Sequence, residues 1–230
     1  MCLSLNYLKS SIGKKQVVAT TGLLLVLFVI GHLAGNLFIF GGPNAFNHYA
    51  AKLHGLRPAL YIVEYGLLFV FLTHIYFTYL VVLENIQARG VGYAVSKPVG
   101  ERSFATRLMP YTGTFLLAFV IWHLIDFTFV DRLGPQGVLP DGKNYELYGV
   151  VYNAFMNPVH SGLYIVAMFC LGFHLAHGVQ SFAQTFGFNS PRFTPLISFV
   201  SNLFGFFIAI GFSTIPVFVL LDCVKYKVVL

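Results

Sequence analysis

Five long apolar stretches, a very low charge content and turn residues confined to short loops predict an all-α membrane protein with five transmembrane helices. Of the 230 residues 57% are hydrophobic and only 10% are charged. A soluble domain of this length needs a charged surface that the sequence does not supply. Each apolar stretch approaches or exceeds the roughly 20 residues that carry a helix across a bilayer.

The spans are expected at 16–40, 59–83, 108–130, 158–182 and 196–221. Lys9, Lys14 and Lys15 precede the first one, as in a signal peptide. The apolar run is too long for a signal core, however, and no small-x-small cleavage site follows it, so it reads as a retained span. Gly41-Gly42-Pro43-Asn44 ends it. The second and third spans are separated by Gly90 to Gly100, with Pro98 among them. Asp131 to Asn157 contains Gly134-Pro135, Pro140-Asp141-Gly142 and Asn157-Pro158, which read as turns. Ser190-Pro191 introduces the fifth span, where Asn202, Gly205, Gly211 and Ser213 suggest packing and Pro216 a bend. No internal repeat stands out, and the loops are too short for a soluble domain. Residues 1–230 therefore read as a single transmembrane domain.

The net charge of +6 lies in the loops, which favours membrane orientation over nucleic acid as its explanation. With the N-terminus on the cytoplasmic side, that side carries Lys9, Lys14, Lys15, Arg89, Lys97, Arg102, Arg107 and Arg192. The other carries Lys52, Arg57, Arg132, Lys143, Lys225 and Lys227, roughly balanced by acids. The positive-inside rule thus supports a cytoplasmic N-terminus. Cys2, Cys170 and Cys223 are isolated, which disfavours a disulfide framework, a zinc site and covalent haem attachment.

Histidine is costly in hydrocarbon, and four spans carry one: His32, His74, His123 and His174. At about 1.5 Å per residue, His32 and His123 lie roughly 24 and 22 Å from the cytoplasmic ends of their spans. His74 and His174 each lie roughly 15 Å from theirs. An axial pair for haem iron must share one depth, and this condition is met twice. The expectation is a haem-binding bundle with two non-covalent haem b groups: an outer one on His32 and His123, an inner one on His74 and His174. Taken singly, each histidine reads equally as a bonded core residue or part of a proton path.

Gly35 and Asn36 lie one turn beyond His32, and Gly178 one turn beyond His174. They would let a flat cofactor approach, or let helices pack. His177, one turn from His174, is an alternative ligand, a propionate partner or a quinone contact. His160 is a candidate partner for an outer propionate, or a helix-end residue. His48 and His54 fall in an outer loop as solvated groups. Glu64 and Asp126 lie near the outer boundary, Asp126 on the face of His123; a supporting or proton-uptake role competes with a simple interfacial carboxylate.

These residues resemble a known family, the cytochrome b membrane subunits of succinate:quinone oxidoreductases, in their single-chain, five-helix, di-haem form. The resemblance rests on Ser11-Ile12-Gly13-Lys14-Lys15 with Ala19-Thr20-Thr21-Gly22-Leu23, and on Leu27 to Leu37 around Gly31-His32-Leu33. It rests further on Thr112-Gly113 through Trp122-His123, and on Leu163-Tyr164 through Phe173-His174-Leu175-Ala176-His177-Gly178 to Phe186-Gly187. It covers nearly the whole chain. It implies His32, His74, His123 and His174 as axial ligands, with His174 in preference to His177. It also implies a flavoprotein subunit with FAD, an iron–sulfur subunit, a quinone of the menaquinone type and the bacterial cytoplasmic membrane. The succinate-oxidising chemistry lies in the partners, since this chain has no dinucleotide-binding glycine motif and no cysteine cluster. Lys14, Lys15 and Arg107 would be docking or propionate-pairing residues. Some quinol-oxidising fumarate reductases of this type carry a glutamate two residues before the fourth ligand. Here Gly172 stands there, which favours succinate oxidation as the direction. Two other readings remain at this stage: a di-haem anchor of a formate dehydrogenase or hydrogenase, and a haem-free transporter or scaffold.

Overall fold

The computed structural model describes residues 2–88, 104–131, 133–188 and 190–225. The chain is an all-α membrane protein, and five of its helices are long and apolar enough to span a bilayer. A short helix α1 (Cys2–Lys9) leads into α2 (Ser11–Asn36). α3 (Gly42–Gly55) is followed by α4 (Ala59–Gln87), α5 (Phe104–Phe127), α6 (Glu146–Met156), α7 (Pro158–Thr185) and α8 (Thr194–Lys225). The spans are α2, α4, α5, α7 and α8, all within a few residues of the expected positions. The Gly90–Gly100 linker lies outside the described residues. We call the side of the bundle on which α2 begins the near side, and the other the far side.

Helix starts follow local chemistry. Ser10 caps α2, its Oγ accepting from the Gly13 amide at 3.1 Å. Asn157 caps α7, its Oδ1 accepting from the amides of Val159 and His160 at 2.9 and 3.2 Å, with Pro158 in the first helical position. Ser190 prepares α8 by accepting from the Phe193 amide. α8 continues through Pro216 to Lys225.

The far side differs from the sequence expectation. Gly42 turns the chain at φ +82°, and α3 starts there in place of an open loop. The segment read as turns from Asp131 to Asn157 holds the helix α6. At 11 residues α6 is too short to stand out among its glycines and prolines, yet Tyr148, Val151, Tyr152 and Phe155 are buried. With Ile39, Phe46, Tyr164, Ile215, Val219 and Cys223 they form a core over the far ends of α7 and α8. Asn47 ties α3 to α6: its amide donates to the Tyr145 carbonyl at 2.9 Å, and its Oδ1 accepts from the Tyr148 amide at 3.1 Å.

Lipid tails give no hydrophobic drive between helices, so close packing must come from small residues. α7 and α8 form the most extensive helix pair. Gly172-x3-Ala176 of α7 meets Gly205-x3-Ala209 of α8. A Cβ on Gly172 would lie 2.6 Å from the Gly205 carbonyl oxygen, and one on Gly205 would lie 3.0 Å from Ala176 Cβ. The buried hydroxyls of Ser161 and Ser201 donate to the carbonyls of Phe155 and Ile197, both at 2.7 Å, so neither enters the interior unpaired. α4 has no buried residue and packs chiefly on α2.

Two outcomes follow. Gly205→Leu overpacks the α7–α8 crossing and should cost about 1–3 kcal/mol, read as a lower melting temperature of the detergent-solubilised protein. The second concerns Tyr152, which donates to Asp222 at 2.6 Å. Burial first, and this bond second, push its phenol well above the ordinary value. The fold therefore favours the protonated phenol. Its stabilisation is full below about pH 10 and is lost as pH rises beyond that. The melting-temperature gap between wild type and Tyr152→Phe should narrow in alkaline buffer.

Candidate functional site

The bundle is built from helix pairs, and we call the region between them where the four histidines meet the slot. α4 packs on α2, α5 on α7, and α2 also touches α7. Among the described residues α2 with α5, and α4 with α7, are not extensively packed pairs. Histidines reach across both of these gaps.

His32 of α2 and His123 of α5 face one another, with ring centres 5.8 Å apart and planes at 88°. One metal ion held by a nitrogen of each ring would put the ring centres about 6 Å apart, with bonds of about 2.0–2.1 Å, the zinc value. Each ring is backed by a phenylalanine one turn earlier. Phe28 stacks on His32 at 5.3 Å and Phe119 on His123 at 5.9 Å. His123 Nδ1 is buried without a hydrogen-bond partner. The Asn36 amide donates to the His32 carbonyl at 2.8 Å and lies 3.4 Å from its Nε2.

His74 of α4 and His174 of α7 form the second set, within electrostatic reach of each other. Thr21 Oγ1 lies 3.0 Å from His74 Nδ1, and Thr112 Oγ1 lies 3.3 Å from His174 Nδ1. Each hydroxyl already donates its single proton to its own helix. Thr21 gives it to the carbonyls of Val17 and Val18, at 2.7 and 3.1 Å. Thr112 gives it to those of Leu108 and Met109, both at 3.2 Å. Toward the imidazole the hydroxyl can then only accept. With the hydroxyl proton given to the helix, each of these histidines would carry its own proton on Nδ1 and leave the Nε2 lone pair free. Gly22 and Gly113 open the space beside the rings; a Cβ there would meet His74 Cε1 at 3.3 Å and His174 Cε1 at 3.4 Å.

Thr21, Gly22, Thr112 and Gly113 were not singled out individually by the sequence reading, and a legible signal exists for them. Thr21-Gly22-x9-His32-Leu33 and Thr112-Gly113-x9-His123-Leu124 are one pattern, sharing also Leu25 with Leu116 and Phe28-Val29-Ile30 with Phe119-Val120-Ile121. This is an internal repeat, contrary to the expectation of none. α2 and α5 each supply one histidine of their own and one threonine that holds a neighbour's histidine.

The remaining residues sort by neighbourhood. Gly35 is occupied by α3, since a Cβ there would lie 2.8 Å from Tyr49 Cζ; it serves helix packing and opens no room for a cofactor. Gly178 faces open space. His177 lies within electrostatic reach of His174, its Nδ1 buried and unpartnered. His160 Nε2 is 3.3 Å from Asp126 Oδ2, which also accepts from the Tyr164 hydroxyl at 2.6 Å. Glu64 faces Arg57 at 3.5 Å. His48 and His54 lie on α3. Lys14 is paired with Glu84, joining the near ends of α2 and α4, so its charge is already partnered within the chain. The side chain of Arg107 lies outside the described set. Among the described residues no three His, Cys, Asp or Glu side chains converge as a metal-holding group. The histidines come in pairs.

No family model, no curated protein and no solved structure matches this chain.

The threonine–histidine bonds have a measurable energy. A double-mutant cycle of Thr21→Val and His74→Ala, read by unfolding in mixed micelles, should give a coupling of about 0.5–1.5 kcal/mol. The same cycle with Thr114, which donates to the Pro110 carbonyl of its own helix at 2.9 Å, should give none.

Proposed function

We propose that this chain is the di-haem b membrane anchor of a succinate:quinone oxidoreductase, passing electrons between an iron–sulfur subunit and membrane quinone. The observation that carries the reading is the pairing of four intramembrane histidines at two depths, with one pair 5.8 Å apart. The donor set suits haem iron. It offers two imidazoles per site from opposite sides of a slot, the second set with Nε2 free, and aromatic walls around the first. Haem held by these residues would supply one-electron transfer.

The chain's own residues have defined tasks in this reading. His32 and His123 hold the far group, and His74 and His174 the near one. Thr21 and Thr112 orient the near ligands. Phe28 and Phe119 pack against the far ones and exclude water. His177 and His160 are candidates for propionate or quinone contacts. The near side, with Lys14, Lys15 and Arg107, would be cytoplasmic and face the iron–sulfur subunit and its FAD-containing flavoprotein partner. The membrane would be the bacterial cytoplasmic membrane and the quinone menaquinone. These last assignments rest on the family resemblance.

The deciding experiment is a dithionite-reduced minus oxidised spectrum of the purified protein, with haem quantified per polypeptide. Two b-type haems are expected. His32→Ala and His74→Ala should each remove one haem and spare the other. A colourless protein defeats the proposal. A protein with two haems that co-purifies with a molybdenum or nickel–iron enzyme assigns the anchor to a different complex.

A further inference from the structure

On the far side a second polar cluster lies beside the histidine pair. Asp126 sits one turn beyond His123, next to the last residue of α5, and is 18% exposed. His160, in the first turn of α7, is 19% exposed. Tyr164 is 4% exposed and is enclosed by the rings of Phe119, Trp122, His123, Phe127, Phe155 and His160. The Tyr164 hydroxyl donates to Asp126 Oδ2 at 2.6 Å, which fixes the carboxylate. His160 stacks on Tyr164 at 4.8 Å with planes at 18°. Its Nε2 lies 3.3 Å from the same Asp126 oxygen, outside hydrogen-bond geometry and with no other partner. A carboxylate and an imidazole thus stand close enough to share a proton, each side chain still partly exposed on the far side.

The other ionisable groups around the pair are few. α5 contributes His123 and α2 contributes His32. α7 contributes Tyr164, and α6 carries Glu146, Tyr148 and Tyr152, the last bonded to Asp222 of α8. No Lys or Arg pairs with Asp126 among the described residues.

We propose that Asp126 and His160 form a redox-linked proton acceptor, taking up one proton when the group held by His32 and His123 takes up one electron. Tyr164 is the positioning residue. The inference rests on the di-haem reading above. An electron arriving on buried iron adds negative charge that water cannot screen, and it draws a proton to the nearest group able to hold one. The group held by His32 and His123 would supply the one-electron change, its electron coming from the iron–sulfur partner by way of the group held by His74 and His174. One proton passes from far-side water to the Asp126 oxygen or His160 Nε2. When quinone takes the electron, the proton is released, and no other bond changes.

The test is a spectro-electrochemical titration of both haems in the purified complex, across the pH range in which carboxyl and imidazole groups titrate. In the wild type, the midpoint potential of one haem should fall as pH rises. Asp126→Asn keeps an acceptor for Tyr164 but cannot take the proton, so it should flatten that dependence and leave the other haem unchanged. His160→Gln should weaken it. Redox-difference infrared spectra should lose a carboxyl C=O signal in Asp126→Asn. Unchanged pH dependence of both haems in Asp126→Asn overturns the proposal. So does a wild type with two haems and flat titrations, which leaves the di-haem reading intact. A wild type without haem overturns both. If Asp126→Asn fails to assemble, His160→Gln decides: dependence equal to wild type counts against the pair, and a reduced one supports it.

Discussion

An imidazole placed in hydrocarbon has two polar nitrogens, and no water to satisfy them. Much of this bundle is organised around that requirement. α4 and α7 each bring a histidine to the slot, and α2 and α5 each answer with a threonine whose hydroxyl is already committed to its own helix. One hydroxyl therefore serves a backbone carbonyl and a neighbouring ring at once. The glycine that follows the threonine leaves room for the ring. The repeat of Thr-Gly-x9-His on α2 and α5 ties these demands to a fixed helical register, since the threonine and the histidine of one helix serve different pairs at different depths.

Lipid supplies no hydrophobic drive to hold helices together around the histidines. The structure offsets this elsewhere. α7 and α8 approach through Gly172, Ala176, Gly205 and Ala209 so closely that a Cβ on either glycine would collide. α3 and α6 cover the far ends, fastened by Asn47 and by the buried aromatic core. The firm contacts therefore lie to one side of the slot and beyond its far end. α7 joins both regions: one face meets α8, and another presents His174. Gly172, where the resembling family sometimes carries a glutamate, points into the α8 contact and has no space for a side chain.

The same logic separates the two histidine pairs. The near pair has its Nδ1 atoms bonded by threonine. In the far pair His123 Nδ1 has no partner, while a carboxylate, a tyrosine and a second imidazole gather one turn away. The near end holds its rings by threonine, and the far end gathers partly exposed ionisable groups. The proposed entry of electrons at one end and uptake of protons at the other would draw on this asymmetry.

The sequence by itself determined the five spans, because the length and apolarity of a crossing helix are local properties that lipid enforces. It also indicated how the four histidines pair, since helical rise converts position into height, and the structure brings His32 to His123 and His74 towards His174. The contacts of Thr21 and Thr112 with the rings, the occupation of Gly35 by Tyr49 and the meeting of Asp126 with His160 were decided only by the tertiary structure. So was the helix α6, whose 11 residues owe their order to burial against α3 and α8 more than to any long apolar pattern. Each of these depends on which helix face turns toward which neighbour. Helical rise gives height along the axis, whereas the facing of helices is set by side-chain packing among segments distant in the chain.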